Sequence, residues 1–275
     1  LTFATQESAF KDKISEELNI VIKSDVHGSS EAIKNAISKI KHDEVKPNII
    51  FHLAAIVNLK KCEDYPENAY NLHINVSRRL AESGAYTIYI STDSVFNGNL
   101  DSYAVEDIPD PLNQYASTKL LGEFAVRAVG KNNLIVRTNI FGFNNPLKDS
   151  IVEWAFKNFD QKKSIIGFDD VYFNAVYTRN LALILVKLMQ TKTHGLLHIG
   201  SIDAMSKFEF LRLLAKEFEY SQNLVVKGSS CDVDFQIDRP KKTVLNSSKA
   251  PDYLDLPTIY SGIQQLKCDY KKMLT

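Results

Sequence analysis

The chain has 275 residues, 44% of them hydrophobic and 24% charged, which excludes a disordered polymer and fits one large domain or two small ones. Lys+Arg and Asp+Glu both number 33, so the net charge is zero and no overall basic footprint for nucleic acid exists. No apolar run approaches the roughly 18 residues of a membrane helix, the opening LTFATQES does not read as a signal peptide, and Cys62, Cys231 and Cys268 are too far apart for a disulfide framework or a zinc knuckle. A reducing compartment, the cytoplasm, is the expectation.

Along the chain, strand-like and helix-like stretches alternate. Residues 1–5 and 19–23 are short β-rich runs, and between them Phe10, Ile14 and Leu18 repeat at helical spacing. Residues 29–41 carry Ala32, Ile33, Ala36, Ile37 and Ile40 on one face. NIIFHLAA (48–55) reads as a strand buried on both faces. Residues 68–83 are helical, with Ala69, Leu72, Val76 and Leu80 as the stripe. TIYIS (87–91) is a second buried strand. Residues 115–128 form a helix expected to turn Leu120, Leu121, Phe124 and Ala128 inward, and LIVRT (134–138) is the next strand. This alternation predicts βαβ units and a doubly wound parallel sheet.

The second half is less regular. Residues 149–159 and 181–189 read as helices, GLLHIG (195–200) as a strand, and 206–218 as an amphipathic helix with a Ser206 cap and Glu209 three residues on. Residues 228–249 are loop-like. A soft boundary near 142–150 divides a dinucleotide-binding part, residues 1–145, from a mainly substrate-binding part, residues 146–275. Glycine numbers only 11, so a complete Gly-rich phosphate loop is not expected.

Tyr115 and Lys119 lie four apart on one helix face, where an ammonium would lower the phenol's pKa and fit it for proton transfer near neutral pH. With twelve tyrosines in the chain, the pair alone is weak, and a solvated helix face is the bland reading. The context is stronger: Ser91, Thr92 and Asp93 follow a buried strand, and open parallel sheets bind ligands beyond the carboxyl ends of their strands. The bland alternative there is a strand-end turn capped by Ser and Asp. Leu53, Ala54 and Ala55 end the preceding strand with side chains small enough for a flat ligand, or simply for close packing. His194 and His198, four apart on a strand, lie about 13 Å apart and are poorly placed to share a metal. Cys62, beside Lys60 and Lys61, reads as a structural thiol. Trp154, Phe156 and Phe159 read as a helix packing face.

Together, HLAA, the helix carrying Asn75, STDSVFNG (91–98) and YASTK (115–119) resemble the extended short-chain dehydrogenase/reductase superfamily. CEDYPENAYNLHINV (62–76), PLNQYASTKLLGE (111–123), RTNIFG (137–142), GLLHIGS (195–201) and RPKKTVLNSSKA (239–250) are similar to dTDP-4-dehydrorhamnose reductases and related sugar-nucleotide proteins. The resemblance implies a Rossmann-like fold, an NADP or NAD cofactor, a nucleotide-sugar substrate, no nucleic-acid or membrane partner, and leaves a homodimer open. It implies Tyr115 as proton donor, Lys119 on the nicotinamide ribose, Thr92 on the reacting oxygen and Asn75 helping to position Lys119 through water. It places Asp25 and Val26 at the adenine, and Leu53, Ala54 and Ala55 along the cofactor's path. Asp93, Asn139 and Arg239 would face the substrate, with RPKKTVLNSSKA closing over it and no metal required.

The family's opening Gly-x-x-Gly-x-x-Gly turn has no counterpart here, so roughly one βα unit is expected to be missing and dinucleotide binding to be weak. Position 94 is Ser where an aromatic is usual. Two rival readings stand beside a reductase: a nucleotide-sugar epimerase or dehydratase on the same scaffold, and a non-catalytic or regulatory subunit that kept the fold.

Overall fold

The computed structural model describes residues 20–22, 48–144 and 147–274, with the backbone alone at 20–22 and 273–274. Strands β1 (Ile20–Ile22), β2 (Ile49–His52), β3 (Tyr86–Thr92), β4 (Leu134–Thr138) and β9 (Gly195–Ile199) form one parallel sheet in the order β1-β2-β3-β4-β9. β4 is buried at all five positions, as a strand covered on both faces must be. Ile88, Leu134 and Val136 pack on one side against Leu181, Ile184, Leu185 and Leu188. Tyr89 and Ile135 pack on the other against Ala81 and Val126. Helices therefore cover both faces, and the architecture is the doubly wound, Rossmann-like one expected.

The crossover between β2 and β3 is α1 (Leu59–Asp64), α2 (Pro66–Tyr70), a π-helical stretch Asn71–Val76, and α3 (Ser77–Glu82). The expected helix over 68–83 is thus interrupted by a π segment, a feature that often marks functional sites. Between β3 and β4 runs α4 (Gln114–Val129). Its inner face differs from the expectation. Leu120 is buried, but Leu121, Phe124 and Ala128 are exposed, whereas Lys119, Gly122, Glu123 and Val126 are turned inward. Polar side chains occupy the buried stripe because the sheet supplies each with a partner.

After β4 the chain builds a second core. It contains α5 (Ile151–Asp160), α6 (Thr178–Gln190), α7 (Lys207–Glu217) and α8 (Ile259–Leu274). Three two-stranded pairs accompany them: β5 (Ile140–Phe141) with β8 (Val176–Tyr177), β6 (Ile165–Phe168) with β11 (Val225–Gly228), and β7 (Tyr172–Phe173) with β10 (Met205–Ser206). Phe141, Phe156, Phe159, Phe173, Phe210 and Tyr177 fill this core, while Trp154 stays 40% exposed. Ser150 and Ser206 each cap a helix in a reciprocal box with the Glu three residues on. Sequence order and spatial order part here: β9 and α6 come from the second half of the chain yet complete the first sheet. Among the described residues no helix is long and apolar enough to cross a membrane.

Candidate active site

The carboxyl end of β3 and the amino-terminal half of α4 meet at one place. Thr92, in extended conformation, caps a short 3-10 turn by accepting the Ser94 N–H at 3.2 Å. Asn113 caps α4 by accepting the Ala116 N–H at 2.9 Å, and its own amide donates to the Asp238 carbonyl at 3.0 Å. From that fixed start, Tyr115, Lys119 and Glu123 follow at four-residue spacing on one stripe. The Tyr115 phenol lies near enough to the Thr92 hydroxyl for it to favour the phenolate. Thr92 and Lys119 are buried, 6% and 3% exposed, and Tyr115 is half-buried.

The electrostatics differ from the sequence expectation in one respect. Lys119 does not lower the phenol's pKa. Its Nζ donates to the Ile90 carbonyl at 2.6 Å and lies 4.1 Å above the Tyr89 ring. Burial pushes Tyr115 up to about 12; the nearby Thr92 hydroxyl opposes this, and Asp93 and Cys62 add to it. Burial also pushes Lys119 down to about 7, with the Glu123 charge opposing. A phenol so held keeps its proton at neutral pH and can release it only to a strong base.

Beneath Lys119, Glu123 accepts from Ser91 Oγ at 2.5 Å and is gripped by the Arg137 guanidinium through two bonds of 2.9 and 2.8 Å. Arg137 also lies 5.1 Å over Phe96 and 3.5 Å from His198 Nε2. His198 bonds the Tyr103 carbonyl through Nδ1 at 3.1 Å, while His194 sits edge-on to Tyr86. The two histidines thus serve separate contacts.

Asn75 makes no direct hydrogen bond to Lys119. Its amide bonds Asn71 at 3.1 Å, and the side chain lines a groove of about 480 Å³ with Tyr70, Gln114, Ser117 and Leu121, on a different stripe of α4. The residue that faces the Tyr115 helix is His73, two positions earlier and so about half a turn around the helix axis. The buried His73 ring stands edge-on to Tyr115 at 6.0 Å. Its Nε2 accepts the Ile56 N–H at 2.9 Å, so Nδ1 carries the proton and donates to Thr118 Oγ1 at 2.8 Å. Burial, then the charges of Lys119 and His52, hold His73 down to about 2, firmly neutral. Sequence reasoning missed His73; the only signal for it was its own helical spacing to Leu80 and Ala69 rather than any motif.

The other candidates separate cleanly. Ala54 is buried, Ala55 half-buried and Leu53 41% exposed, just beyond β2. Asp93 accepts from Asn139 Nδ2 at 2.5 Å and from the Thr92 and Ser94 hydroxyls at 3.2 Å. Buried Cys62 donates to the Ile56 carbonyl, and burial raises its pKa to about 11, which fits a structural thiol. Arg239 is exposed, its guanidinium 5.0 Å over Phe235. The segment around it lies against the start of α4 and against Gly98, where a Cβ would meet Lys241 N at 2.6 Å. Asp25 and Val26 fall outside the described residues.

A parallel sheet with a Thr-Tyr-Lys set beyond its strand ends is the arrangement of an extended short-chain dehydrogenase/reductase. Residues 18–265 match the RmlD substrate binding domain, and the chain belongs to that family. It is 31% identical over 229 residues, 78% of this chain, to the Pongo abelii methionine adenosyltransferase 2 subunit beta, of which the match covers 67%. It is 37% identical over 142 residues, 48% of this chain, to the translation initiation factor IF-2 of Pelagibacter ubique, and spans 19% of that protein's length. The fold superposes on dTDP-4-dehydrorhamnose reductase from Bacillus anthracis in complex with NADP with a TM-score of 0.78 and 24% identity, over 87% of this chain and 85% of that one.

Proposed function

We propose that the protein reduces the 4-keto group of a 6-deoxy nucleotide sugar, using NADPH or NADH. The observation that carries this reading is the proximity of Thr92 and Tyr115 with Lys119 buried one helical turn on. The described residues fit the nicotinamide half of such a cofactor: a buried lysine and a proton-holding phenol on one face of α4, and two small residues just beyond β2. Lys119 would hold the ribose, and Ala54 and Ala55 would line its path. When bound, the reduced nicotinamide supplies the hydride. Thr92 donates a hydrogen bond to the substrate carbonyl oxygen. As the C=O π pair moves onto that oxygen, Tyr115 transfers its proton, and the product is an alcohol. An alkoxide is basic enough to take a proton from a phenol whose pKa is about 12.

Asp93 and Asn139 would contact the sugar. Arg239, whose planar fork suits phosphate oxygens, would meet the diphosphate. The test is loss of reduced-nicotinamide absorbance with dTDP-4-dehydrorhamnose, for wild type and Tyr115→Phe. Turnover in both, or in neither, counts against the reading.

The similarity to a methionine adenosyltransferase subunit beta supports a second reading, an accessory subunit that keeps the dinucleotide fold. Saturable cofactor binding without sugar reduction would favour it.

A further inference from the structure

Tyr89 sits in the middle of β3 between Ile88 and Ile90, and its side chain is fully buried. The ring packs with Ala81, Val126 and Ile135, a core position that a phenylalanine or a leucine would also fill. The tyrosine reaches further. Its hydroxyl donates to the Lys119 carbonyl at 3.2 Å, and the Lys119 Nζ lies 4.1 Å above the centre of its ring. One side chain therefore meets both ends of Lys119, the backbone and the amine. The helix α4 is shaped for this approach: a Cβ on Gly122 would stand 2.4 Å from the Tyr89 hydroxyl, and glycine leaves that room.

Lys119 has little else to stabilise its charge. Its Nζ offers three donors, and among the described residues the Ile90 carbonyl, at 2.6 Å, is the one hydrogen-bond acceptor it meets. Glu123, one turn on, is engaged by Ser91 and Arg137. The other titratable groups around the amine are Tyr115, one turn before it, His52 on β2 and His73 on the π-helical stretch. Both histidines are held neutral, by burial first and by the Lys119 charge second. Burial keeps Tyr89 itself far above the ordinary phenol range; Glu123 and Tyr115 add to this and Ser77 opposes it, so the ring is neutral. The negative face of that aromatic ring is then the main partner left for a desolvated ammonium.

We propose that Tyr89 is the positioning residue of Lys119: its ring face favours the charged amine inside the protein, and its hydroxyl fixes the helix backbone from which that amine is aimed. On the reductase reading above, on which only the functional consequence rests, the amine so held is the one that meets the nicotinamide ribose. A tyrosine that merely fills space is the alternative, and packing makes no demand on the charge distribution of the ring.

The experiment follows the titration of Lys119 by NMR of isotope-labelled lysine side chains, its signal assigned by its loss in Lys119→Met. Wild type is compared with Tyr89→Phe, with Tyr89→Leu and with a trifluorinated phenylalanine at position 89. Fluorine draws electron density off the ring face while the ring keeps nearly the same shape. Tyr89→Phe retains the face, so the Lys119 midpoint should stay where it is in wild type. The fluorinated ring should lower that midpoint by about 0.5–1.5 pH relative to Tyr89→Phe, the worth of a desolvated cation–π contact. Tyr89→Leu should lower it as well. Equal midpoints for the fluorinated and unfluorinated rings overturn the proposal, and that comparison stands even if Tyr89→Leu does not fold. NADPH titration gives a second readout. Tyr89→Leu should weaken binding about 3- to 10-fold in the wild-type background and add no loss to Lys119→Met, because both act through one amine. Equal losses in the two backgrounds overturn the proposal. If wild type binds no NADPH, the reductase reading fails, and the Lys119 titration alone decides the role of Tyr89.

Discussion

Glu123 and Arg137 form a two-pronged ion pair sealed under Lys119, with side chains 0% and 3% exposed. The pair lets α4 turn charged residues toward the sheet. Glu123 opposes the burial that would discharge Lys119, and Arg137 in turn neutralises Glu123. Removing one partner leaves a buried unpaired charge, so Arg137→Met should cost about 3–5 kcal/mol. Replacing both, as Glu123→Gln with Arg137→Met, should cost clearly less than the sum of the singles. Urea unfolding of the four proteins in this cycle measures the coupling, and strict additivity would contradict the pairing.

Tyr115→Phe removes the proton and keeps the ring. On the proposed mechanism kcat should fall about 10²- to 10⁴-fold, the usual worth of a positioned general acid. NADPH affinity should stay within about threefold. Steady-state kinetics and fluorescence titration separate the two quantities.

Lys119 gives the fold a pH dependence with a definite sign. Its pKa is about 7 in the folded protein against 10.5 for a free lysine side chain. Between those values the unfolded chain binds a proton that the folded one does not, so stability rises with pH across that window. Below about pH 7 both states are charged and the slope vanishes. The stability of wild type relative to Lys119→Met should therefore grow from pH 7 toward 10.5, by at most about 1.4 kcal/mol per pH unit. A constant difference in denaturant unfolding over that range would show that the amine is not held this way.

His73, and not Asn75, ties the crossover helices to the Tyr115 helix. Asn75→Ala should change stability by no more than about 0.5 kcal/mol. His73→Ala strands the Ile56 N–H, at about 1–3 kcal/mol for a group left without a partner, while the Thr118 hydroxyl keeps its bond to the Gln114 carbonyl. Thermal unfolding of the two variants side by side checks the order.

Gly122 is where α4 comes closest to its neighbours. A Cβ there would lie 2.3 Å from the His73 carbonyl and 2.4 Å from the Tyr89 hydroxyl. A backbone carbonyl cannot swing aside, so Gly122→Ala should cost about 1–3 kcal/mol by overpacking. An unchanged Tm would mean that the helix can lift off the crossover freely.

Local pattern was enough for the strands. TIYIS, LIVRT and GLLHIG are runs of apolar residues that only a sheet covered on both faces can use, and the structure pairs them side by side. The Thr92, Tyr115 and Lys119 positions were legible for a similar reason: a strand end and a four-residue helical spacing are short-range facts. What the sequence could not determine was which face of each helix turns inward. In α4 the apolar Leu121 and Phe124 face out while Lys119 and Glu123 face in. That choice depends on Ile90, Ser91 and Arg137, contributed by two other strands. Likewise, the inward place of His73 hangs on a donor and an acceptor 17 and 45 residues distant. Hydrophobic periodicity records burial among apolar groups; a buried charge is stable only when distant residues supply its partner, and that information exists only once the chain has folded.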